Sequence, residues 1–438
     1  MAFTFKGGIH PDDGKRFTAA KQIELLNAPT HVVLPMTMHI GAPCAPLVKV
    51  GDHVCLGQKI ADTEAPVSAP IHASVSGTVT EIAPKLHPNG SMVQCIVIEN
   101  DFQDEPDPSI HALDPDTLTT DEMVAAIREA GIVGHGGAAF PTHTKILSAL
   151  NKIDNILING AECEPYITSD YRILLEYPWE VVGGAKILLR MFGLNEVKLG
   201  VEMNKQDAFP VLKEYLPQDE SIKLCPLTTK YPQGAEKQLI YALTGREVPS
   251  GKLPADAGCA VFNVDTAAAI YRLFATGMPV IRRIVTVAGS AIANPKNLEV
   301  RVGTPIDQLI AACGGFSEPP NKLLMGGPMM GISLVSDEVP VIKGTNAILA
   351  FCKNECVTAK NPVCIRCGKC LAACPMRLAP TYIYNYALKR NVAELERYNT
   401  LDCIECGACT YVCPGKLPLV QGIRSGKQLV TDERRKRK

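Results

Sequence analysis

Short segments in which apolar and polar residues alternate, separated by turn residues, make up the first hundred positions of the chain. Between residues 48 and 62 the alternation runs around two glycine turns, and between residues 69 and 83 it repeats around Ser76-Gly77. Alternation with period two is typical of half-buried strands, and such turns favour β-hairpins. We therefore expect a β-domain over residues 1–115 that ends in the acidic, proline-rich linker of residues 101–115.

These hairpins resemble the half-barrel sandwich of lipoyl- and biotinyl-carrier domains. A carrier domain of that kind has a modifiable lysine at the tip of a hairpin. The corresponding stretch here, Thr63–Pro66, contains no lysine. We therefore interpret residues 1–115 as a structural β half-barrel sandwich and its linker, and not as a swinging carrier arm.

From about residue 118 the pattern changes to alternating strands and helices. Thr119 and Glu122 have the spacing of a capping box, and Gly131 stops the helix that this box begins. Alternation of strands and helices implies right-handed crossovers and a parallel sheet, so we predict an α/β domain over residues 116–275. The predicted strands cover residues 155–159, 197–203 and 221–227, and the predicted helices cover 179–192, 206–215 and 233–243.

A third pattern occupies residues 276–345. Its strands are predicted over 284–287, 298–302 and 322–325, with one helix over 306–313. This order suits a small β-grasp-like module. Residues 346–425 are predicted to form a C-terminal α-helical domain. Residues 426–438 form a strongly basic tail, which we expect to be disordered and solubilising; contact with anionic lipid is the alternative.

The length and charge of the chain limit its function. A chain of 438 residues is too long for one core. Its net charge of −1 argues against nucleic acid as the main partner. No apolar run reaches the roughly 18 residues that a membrane span needs, and the first residues do not read as a signal peptide. Any membrane association is therefore expected to come from partners.

Two copies of one cysteine pattern stand near the end of the chain. Each reads C-x2-C-x2-C-x3-C-P, the run that bacterial ferredoxins use for iron–sulfur clusters. A single C-x2-C pair would also suit zinc or a redox disulfide, but two complete runs exceed the four ligands of a zinc site. The runs are Cys364, Cys367, Cys370 and Cys374, and Cys403, Cys406, Cys409 and Cys413.

The fourth cysteine of such a run normally serves the other cluster. The ligation of eight of the seventeen cysteines points to a reducing cytoplasm, and most of the others are expected to be small buried hydrophobic residues. Cys352 and Cys356 could add ligands, but since both sets are complete we expect them to be structural. We predict one [4Fe–4S] cluster on Cys364, Cys367, Cys370 and Cys413, and a second on Cys403, Cys406, Cys409 and Cys374.

A glycine-rich loop lies at the start of the predicted sheet. It runs from Gly131 to Lys145 and includes Gly134, Gly136 and Gly137. Glycines allow a backbone to approach a ligand closely, and consecutive amides that enter a helix favour anions. A nucleotide phosphate is the natural ligand, with Lys145 adding charge. A flexible turn without a ligand is the alternative.

An acidic loop follows the strand predicted at residues 155–159. This loop, Asn159–Pro165, carries Glu162 and Glu164. Two carboxylates beside a phosphate site suit the hydroxyl and amide groups of ribose or nicotinamide and do not suit phosphate. Surface acidity is the alternative reading.

A third loop follows the strand predicted at residues 221–227. Tyr231 in this loop could stack on a ring, and Gly234 would allow close approach. The alternative is an ordinary helix start, with Glu236 near the positive end of the helix.

Together the three loops resemble those of the flavin- and NADH-binding subunit of respiratory complex I, whose motifs are GxGGAGFPTxxK, an NADESEP-like loop and YxxGEE. They correspond here to Gly134–Lys145, Asn159–Pro165 and Tyr231–Glu236. The order of all modules, beginning with GGIHP at Gly7–Pro11, resembles more closely the C-subunit family of Rnf ion-translocating electron transport complexes. The resemblance covers the whole chain apart from the basic tail.

The resemblance implies a binding site for FMN and NAD(H). The glycines of the first loop and Lys145 would hold the FMN phosphate, and Asn159 and Asn263 would contact the flavin. Glu162 and Glu164 would lie near the nicotinamide ribose, Phe140 would stack near a ring, and the third loop would line the dinucleotide side. The implied set is Gly134, Gly136, Gly137, Phe140, Lys145, Asn159, Glu162, Glu164, Tyr231, Gly234, Glu236 and Asn263.

The chain departs from the complex I motifs at several loop positions. Two carboxylates of that family are replaced by Ala161 and Ala235, its arginine by His135, a glycine by Ala139 and a serine by Cys163. These changes predict weaker contacts to FMN than in complex I, while the glycine loop is kept.

The resemblance implies that NAD(H) exchanges a hydride with FMN, and that single electrons pass between FMN, the two clusters and partner subunits. No side chain need act as acid, base or nucleophile. The expected partners are membrane subunits and a ferredoxin-like subunit of an Rnf complex, and the expected place is the cytoplasmic face of the membrane. Ion translocation by the whole complex would place it among the translocases.

Two alternatives stay open: a soluble flavin and iron–sulfur reductase of the cobalamin-reductase type, and an electron relay without nucleotide.

Overall fold

The structure is a computed structural model that describes residues 2–218, 220–356 and 359–437. The predicted domains also include residues 1, 219, 357, 358 and 438, which lie outside the described residues. In the N-terminal region β2, β8, β7 and β4 form one antiparallel sheet, and β3, β5 and β6 form another. The predicted β half-barrel sandwich is confirmed. Its region holds β1 (Ile23–Leu25), β2 (His31–Pro35), β3 (Ala45–Pro46), β4 (His53–Val54), β5 (Lys59–Asp62), β6 (Ile71–His72), β7 (Gly77–Leu86) and β8 (Met92–Asn100).

Residues 2–25 reach beyond the two half-barrel sheets and pair with other parts of the chain. β1 pairs in parallel with a strand of a later sheet at Ile23↔Asn297. Further upstream, Phe3 and Ile9 form isolated bridges with Leu227 and Tyr231. The backbone N–H and C=O groups of this segment are thereby paired with strands and loops of later units.

The tip of the half-barrel, Thr63–Pro66, is docked on the next domain. The Pro66 carbonyl accepts a hydrogen bond from Thr144 Oγ1 at 3.1 Å, and the Thr63 carbonyl accepts one from Arg128 at 3.0 Å. The position that a carrier domain would use for its lysine is therefore a fixed contact, which agrees with the structural reading.

The central α/β domain has the predicted parallel sheet, in the order β11-β10-β9-β12. The capping box is present, since Thr119 Oγ1 accepts from the Glu122 amide and Glu122 accepts from the Thr119 amide. The elements are α1 (Thr120–Glu129), α2 (Thr142–Ala149), β9 (Asn155–Gly160), α3 (Ser169–Glu176), α4 (Pro178–Phe192), β10 (Val197–Glu202), α5 (Ala208–Tyr215), β11 (Ile222–Leu227), α6 (Glu236–Thr244), β12 (Cys259–Asn263) and α7 (Val264–Thr276).

Three of these elements, α3, β12 and α7, have no counterpart in the prediction. The last two follow each other directly, so that a short apolar strand turns into a helix at Asn263 without a glycine or proline to mark the change. Helix α7 packs tightly on α4, because a side chain at Gly184 would overlap the backbone of Ala267.

The third unit is a six-stranded mixed sheet with the strand order β1-β14-β13-β17-β15-β16. Its last strand in sequence, β17, follows residue 345, at which the third predicted unit ends. The sheet shares one hydrophobic core with the half-barrel, in which Val32 and Leu34 join Val285 and Val287. The elements are β13 (Arg282–Ala288), β14 (Lys296–Arg301), α8 (Ile306–Ala312), β15 (Lys322–Met325), β16 (Ile332–Ser333) and β17 (Ala347–Phe351).

The C-terminal domain is helical, as predicted, and consists of α9 (Lys369–Ala373), α10 (Pro380–Leu388), α11 (Val392–Arg397), α12 (Ala408–Tyr411) and α13 (Leu419–Lys436). The limit predicted at residue 426 falls inside α13, so the described part of the basic tail is helical and the expectation of disorder is wrong. Arg434 and Arg437 bind Glu396 of α11 at 2.9 and 3.3 Å. Among the described residues, no helix is long and apolar enough to cross a membrane.

Candidate functional site

The glycine loop, the acidic loop and Asn263 meet at the carboxyl ends of β9 and β12. Asn159 and Asn263 are neighbours across these two strands. Asn159 donates to the carbonyl of Gly234 at 2.8 Å, and Asn263 caps α7 by accepting from the Asp265 amide at 2.9 Å. Gly136 lies beside Asn263, since a side chain there would begin 3.6 Å from the Asn263 Cβ. The sheet therefore brings the predicted loops together.

The glycine loop offers exposed backbone in front of a helix. Residues 136–138 are exposed, and Gly137 has φ +116° with open space beside it. The loop closes on itself through the Gly134 amide, which donates to the Phe140 carbonyl at 2.8 Å, and α2 follows. Exposed amides ahead of a helix suit a phosphate group.

Lys145 and Glu236, predicted from two different loops, form an ion pair. Lys145 Nζ lies 2.9 Å from Glu236 Oε1 and donates to the Val261 carbonyl at 2.9 Å. Both side chains keep about a third of their surface exposed. The lysine is thus held at the mouth of the site by the pair and the carbonyl.

Glu162 caps a helix beneath the acidic loop. Its carboxylate accepts from the amides of Asp170 at 2.7 Å and Tyr171 at 3.3 Å, at the start of α3. Lys15 Nζ lies 3.8 Å from Glu162 Oε2, and both side chains are buried. Burial raises the pKa of Glu162, and Lys15 opposes that shift. Its carboxylate is occupied by these groups, so its contribution to the site is the position of the loop and of α3.

Glu164 is the buried carboxyl group at the centre of the site. Its two oxygens accept from the Tyr231 hydroxyl at 3.3 Å and from the Met329 amide at 3.1 Å. A side chain at Gly327 would overlap this carboxyl, so the loop between β15 and β16 closes over it. Burial raises the pKa of Glu164 to about 7, although the Met329 amide and the Tyr231 hydroxyl act in the opposite direction.

Tyr231 is buried, and its ring is not available to stack on a ligand. Only 1% of its surface is exposed, and the ring packs among Ile9, Ala373 and Ala408. Its hydroxyl donates to the carbonyl of Cys406 at 2.7 Å. The prediction of a stacking platform is wrong here, because the C-terminal domain covers the ring. Phe140, also predicted to stack, is half-buried.

His135 faces away from the exposed side of its loop. Its Nδ1 lies 2.9 Å from Asp265, which also binds Arg283 and Arg272. Burial, followed by the charge of Arg283, lowers the pKa of His135 to about 4. Asp265 is held well below its ordinary pKa, mainly by Arg283, against the effect of burial. His135 therefore anchors the loop from below as a neutral side chain.

Several residues of the site carried no sequence signal. Lys15 donates to the carbonyls of Glu164 and Ile167, and Lys205 donates to the Ala161 carbonyl at 2.7 Å. Both lysines are buried under the acidic loop. Lys15 lies four residues after the GGIHP motif, which is the only hint the sequence offers that this stretch is close to the site.

Four of the predicted cluster ligands surround one cavity in the C-terminal domain. Three come from the second cysteine run and one from the first, as the crossed assignment requires: Cys374, Cys403, Cys406 and Cys409. Burial raises the pKa of the Cys406 and Cys409 thiols to about 12, and the neighbouring cysteines add to this shift. In the described residues no three His, Cys, Asp or Glu side chains converge as a single metal ion needs. A cluster instead takes its ligands at separate corners.

The other predicted set, which consists of Cys364, Cys367, Cys370 and Cys413, is divided between the core and the surface. Cys370 and Cys413 lie in one apolar core, whereas Cys364 and Cys367 are exposed. The loop stays beside Cys413, because the Val363 amide donates to the Gly415 carbonyl at 3.2 Å.

Both cysteine runs have the same local backbone. Arg366 and Glu405 have φ of 56° and 57°, and Gly368 and Gly407 have φ of 76° and 75°. At equivalent positions an amide points at a sulfur, from Arg366 to Cys364 and from Glu405 to Cys403. Amides that point at sulfur stabilise negative charge on it. The exposed run is therefore folded for the same ligand as the buried one.

Most of the remaining cysteines are buried, as predicted. Cys352 is buried in the core that the half-barrel shares with the six-stranded sheet, and Cys356 packs beside Tyr166 and Phe351. Buried members outside the two cluster sets are Cys44, Cys95, Cys225, Cys259, Cys313 and Cys352.

Four family models match successive parts of the chain. They are the RnfC barrel sandwich hybrid domain at residues 3–103, the Nuo51 FMN-binding domain at 127–272, the SLBB domain at 284–333 and the 4Fe-4S dicluster domain at 356–414. The mixed α/β multidomain fold and the FMN and 4Fe–4S assignments agree with these matches.

Curated relatives match over nearly the whole chain. The chain is 46% identical over 435 residues to the C subunit of the Na+-translocating ferredoxin:NAD+ oxidoreductase complex of Acetobacterium woodii, covering 99% of this chain and 98% of the relative. It is 48% identical to the proton-translocating counterpart of Clostridium ljungdahlii, with 97% and 93% covered. The C subunit of the ion-translocating oxidoreductase complex of Rhodobacter capsulatus is 42% identical, with 100% and 85% covered.

Among solved structures, the fold is similar to a chain of an NAD+-reducing [NiFe]-hydrogenase. In the H2-reduced state the TM-score is 0.51 at 19% identity, with 73% of this chain and 63% of that chain covered. At this identity the likeness shows the fold alone.

Proposed function

The chain belongs to the C-subunit family of ion-translocating ferredoxin:NAD+ oxidoreductase complexes, and we propose that it carries electrons between NAD(H) and the partners of such a complex. FMN, when bound, exchanges a hydride with nicotinamide and single electrons with iron–sulfur clusters. The side chains position the cofactors and set their electrostatic surroundings.

The residues at the carboxyl ends of β9 and β12 fit a flavin nucleotide. The exposed amides of residues 136–138 and the ammonium group of Lys145 suit the phosphate. Asn159 and Asn263 place amide groups beside the loop. Ala161 and Ala235 supply no carboxylate where complex I has one, so we expect binding to depend on the glycine loop and Lys145.

The two carboxyl groups of the acidic loop have different tasks in this proposal. Glu162 holds α3 and the loop in place. Glu164 faces Tyr231 and the loop of the third unit, where a group with its pKa near 7 can hold or release a proton at neutral pH. Gly234 and Glu236 line the side on which the dinucleotide would bind.

The observation that carries the proposal is the contact between the nucleotide site and the cluster domain. Tyr231 donates to Glu164 at 3.3 Å and to the Cys406 carbonyl at 2.7 Å. One buried side chain therefore touches both a residue of the acidic loop and a ligand of the cluster cavity. A chain that only bound nucleotide would have no need of this contact.

Finer parts of the proposal follow from the family. We propose that the six-stranded sheet contains a β-grasp-like SLBB module and that the domain limits fall near residues 115, 275 and 345, with the exceptions that β1 and β17 introduce. We also propose that the chain lies on the cytoplasmic face of the membrane, held by other subunits, and that the whole complex is a translocase.

The proposal is tested by adding NADH to the protein reconstituted with iron, sulfide and FMN under anaerobic conditions. Bleaching of the flavin absorbance followed by a reduced-cluster EPR signal is the expected result. Clusters that form while NADH changes neither signal would mean that the nucleotide loops are not functional and that the chain is only a relay.

A further inference from the structure

The loop of the first cysteine run is open to solvent over its whole length. All residues from 359 to 369 are exposed, and this stretch contains Cys364 and Cys367. In the second run no residue between Cys403 and Cys409 is exposed. The two predicted cluster sites therefore differ in position: one lies inside the molecule and the other lies at its surface.

The inner site is the one that contacts the rest of the chain. Its Cys406 carbonyl accepts from Tyr231 at 2.7 Å, and the Ala373 carbonyl, next to Cys374, accepts from the Gly8 amide at 3.0 Å. Gln238 of α6 reaches Met376 Sδ at 3.2 Å. The Cys374, Cys403, Cys406 and Cys409 set is thus the one beside the nucleotide domain.

Three apolar side chains in or next to the open loop are exposed to solvent. Val363 and Ile365 are 65% and 62% exposed, and Leu371 in the adjoining helix α9 is 43% exposed. Val363 and Ile365 lie on either side of Cys364 in the sequence, and Leu371 follows Cys370. Exposed apolar side chains so close together in the chain are typical of surfaces that contact a protein partner.

The charge around these residues has a single sign. No aspartate or glutamate occurs between residues 356 and 393. Lys360, Arg366 and Lys369 are exposed, and Lys416 lies next to Gly415, which contacts the loop. None of the four has an ion pair within the described ranges, whereas Glu405 of the second run is paired with Arg424 and Lys427. Unpaired exposed cations attract a negatively charged surface.

From these observations, and resting on the proposed function, we propose that residues 359–371 form the docking surface for an acidic iron–sulfur electron carrier. Val363, Ile365 and Leu371 provide the apolar contact, and Lys360, Arg366 and Lys369 provide the surrounding charge. One electron crosses in each encounter: oxidation on the Cys364 side is balanced by reduction of the carrier's iron–sulfur centre, or the reverse, with no bond formed or broken. The Cys374 set then lies between the nucleotide site and this surface.

Such a contact is expected to be weak and sensitive to salt. Redox encounters bury little surface, and exposed charges are screened within about 8 Å at physiological ionic strength. An apolar centre with a charged rim allows rapid association and rapid release, which suits a carrier that must leave after one electron.

The test uses the full chain reconstituted with clusters and FMN, and an acidic bacterial-type 2[4Fe–4S] ferredoxin as the probe. Binding is measured at low and physiological salt for wild type and for K360E/R366E/K369E. The matched control is K389E/R390E, at the far end of α10, about 13 Å along the helix from its start. We expect the loop variant to weaken binding by at least about tenfold and to lose the salt dependence, and the control to change binding less than about twofold.

Equal binding by the wild type and the loop variant would overturn the proposal. So would binding of wild type to anionic lipid vesicles with no binding to the ferredoxin, since the surface would then serve a membrane. NADH bleaching of the flavin, measured on the same samples, separates this inference from the proposed function. If wild type binds the ferredoxin through the loop but NADH bleaches nothing, the docking surface stands and the NADH function does not.

Discussion

The hydroxyl of Tyr231 donates a hydrogen bond to the backbone carbonyl of Cys406 over 2.7 Å. Tyr231 belongs to the third nucleotide-site loop, and Cys406 is one of four thiols around the inner cavity. Because Tyr231 also reaches Glu164, a change at the nucleotide site has a short, buried route to the surroundings of the cluster. A hydroxyl near a cluster is one of the groups by which a protein sets its reduction potential.

Replacing Tyr231 by Phe should lower the reduction potential of the inner cluster. The variant loses the positive end of the hydroxyl dipole, which favours the more negative, reduced state. It should also cost about 1 kcal/mol of stability, the net value of one hydrogen bond. The potential is measured by EPR-monitored redox titration, with the exposed Tyr382→Phe as the control. An unchanged potential in Y231F would show that the hydroxyl only fills space.

Replacing Glu164 by Gln should change how stability depends on pH. Burial raises the pKa of Glu164 from 4.5 to about 7 in the folded protein. A carboxyl group of this kind stabilises the fold below pH 4.5, and its contribution is lost as the pH rises from 4.5 to 7. The full loss corresponds to about 3 kcal/mol.

The glutamine variant keeps a neutral group at every pH. We therefore expect E164Q and wild type to unfold at similar temperatures at pH 4.5 and E164Q to be the more stable at pH 8, measured by calorimetry. The exposed Glu214→Gln on α5 should follow wild type throughout. If E164Q lost stability relative to wild type as the pH rose, the buried carboxyl would be charged and held by partners, contrary to the assignment.

Replacing Lys145 by Ala should weaken FMN binding without loss of the clusters. A charge-assisted hydrogen bond to phosphate contributes about 1.5–3 kcal/mol, which corresponds to a roughly tenfold to hundredfold higher Kd. Flavin fluorescence titration gives the Kd, and iron content reports the clusters. Lys186→Ala, an exposed lysine on α4, is the matched control. Equal FMN affinity in K145A and K186A would place the phosphate elsewhere.

Much of the fold could be predicted because its signals are local. The capping box at Thr119 and the alternating apolar strands depend on neighbouring residues, and both are present in the structure. The cysteine runs predict the crossed set around the inner cavity for the same reason. The edge strand β1 could not be predicted, because three residues complete a sheet whose other strands begin more than 250 positions later.

The site was less predictable than the fold because its contacts join distant parts of the chain. Tyr231 has the sequence surroundings of a stacking residue, but the C-terminal domain buries it. Lys15 supports the acidic loop from about 150 residues away. In the sequence, the charges of the basic tail favour disorder. In the structure, the tail continues α13, whose buried side chains include Leu419, Ile423 and Val430. Tertiary contacts of this kind leave no periodic pattern in the sequence.

In the proposed route, electrons pass between NAD(H) and the partner by way of the Cys374 set, which lies next to the nucleotide site. The most direct test compares Cys374→Ala with Cys413→Ala, each reconstituted anaerobically with FMN and titrated with NADH while cluster EPR is recorded. We predict that C413A keeps an inner cluster that NADH reduces. C374A should keep an outer cluster that dithionite reduces and NADH does not. A C374A protein whose remaining cluster is reduced by NADH as readily as that of C413A would contradict this order.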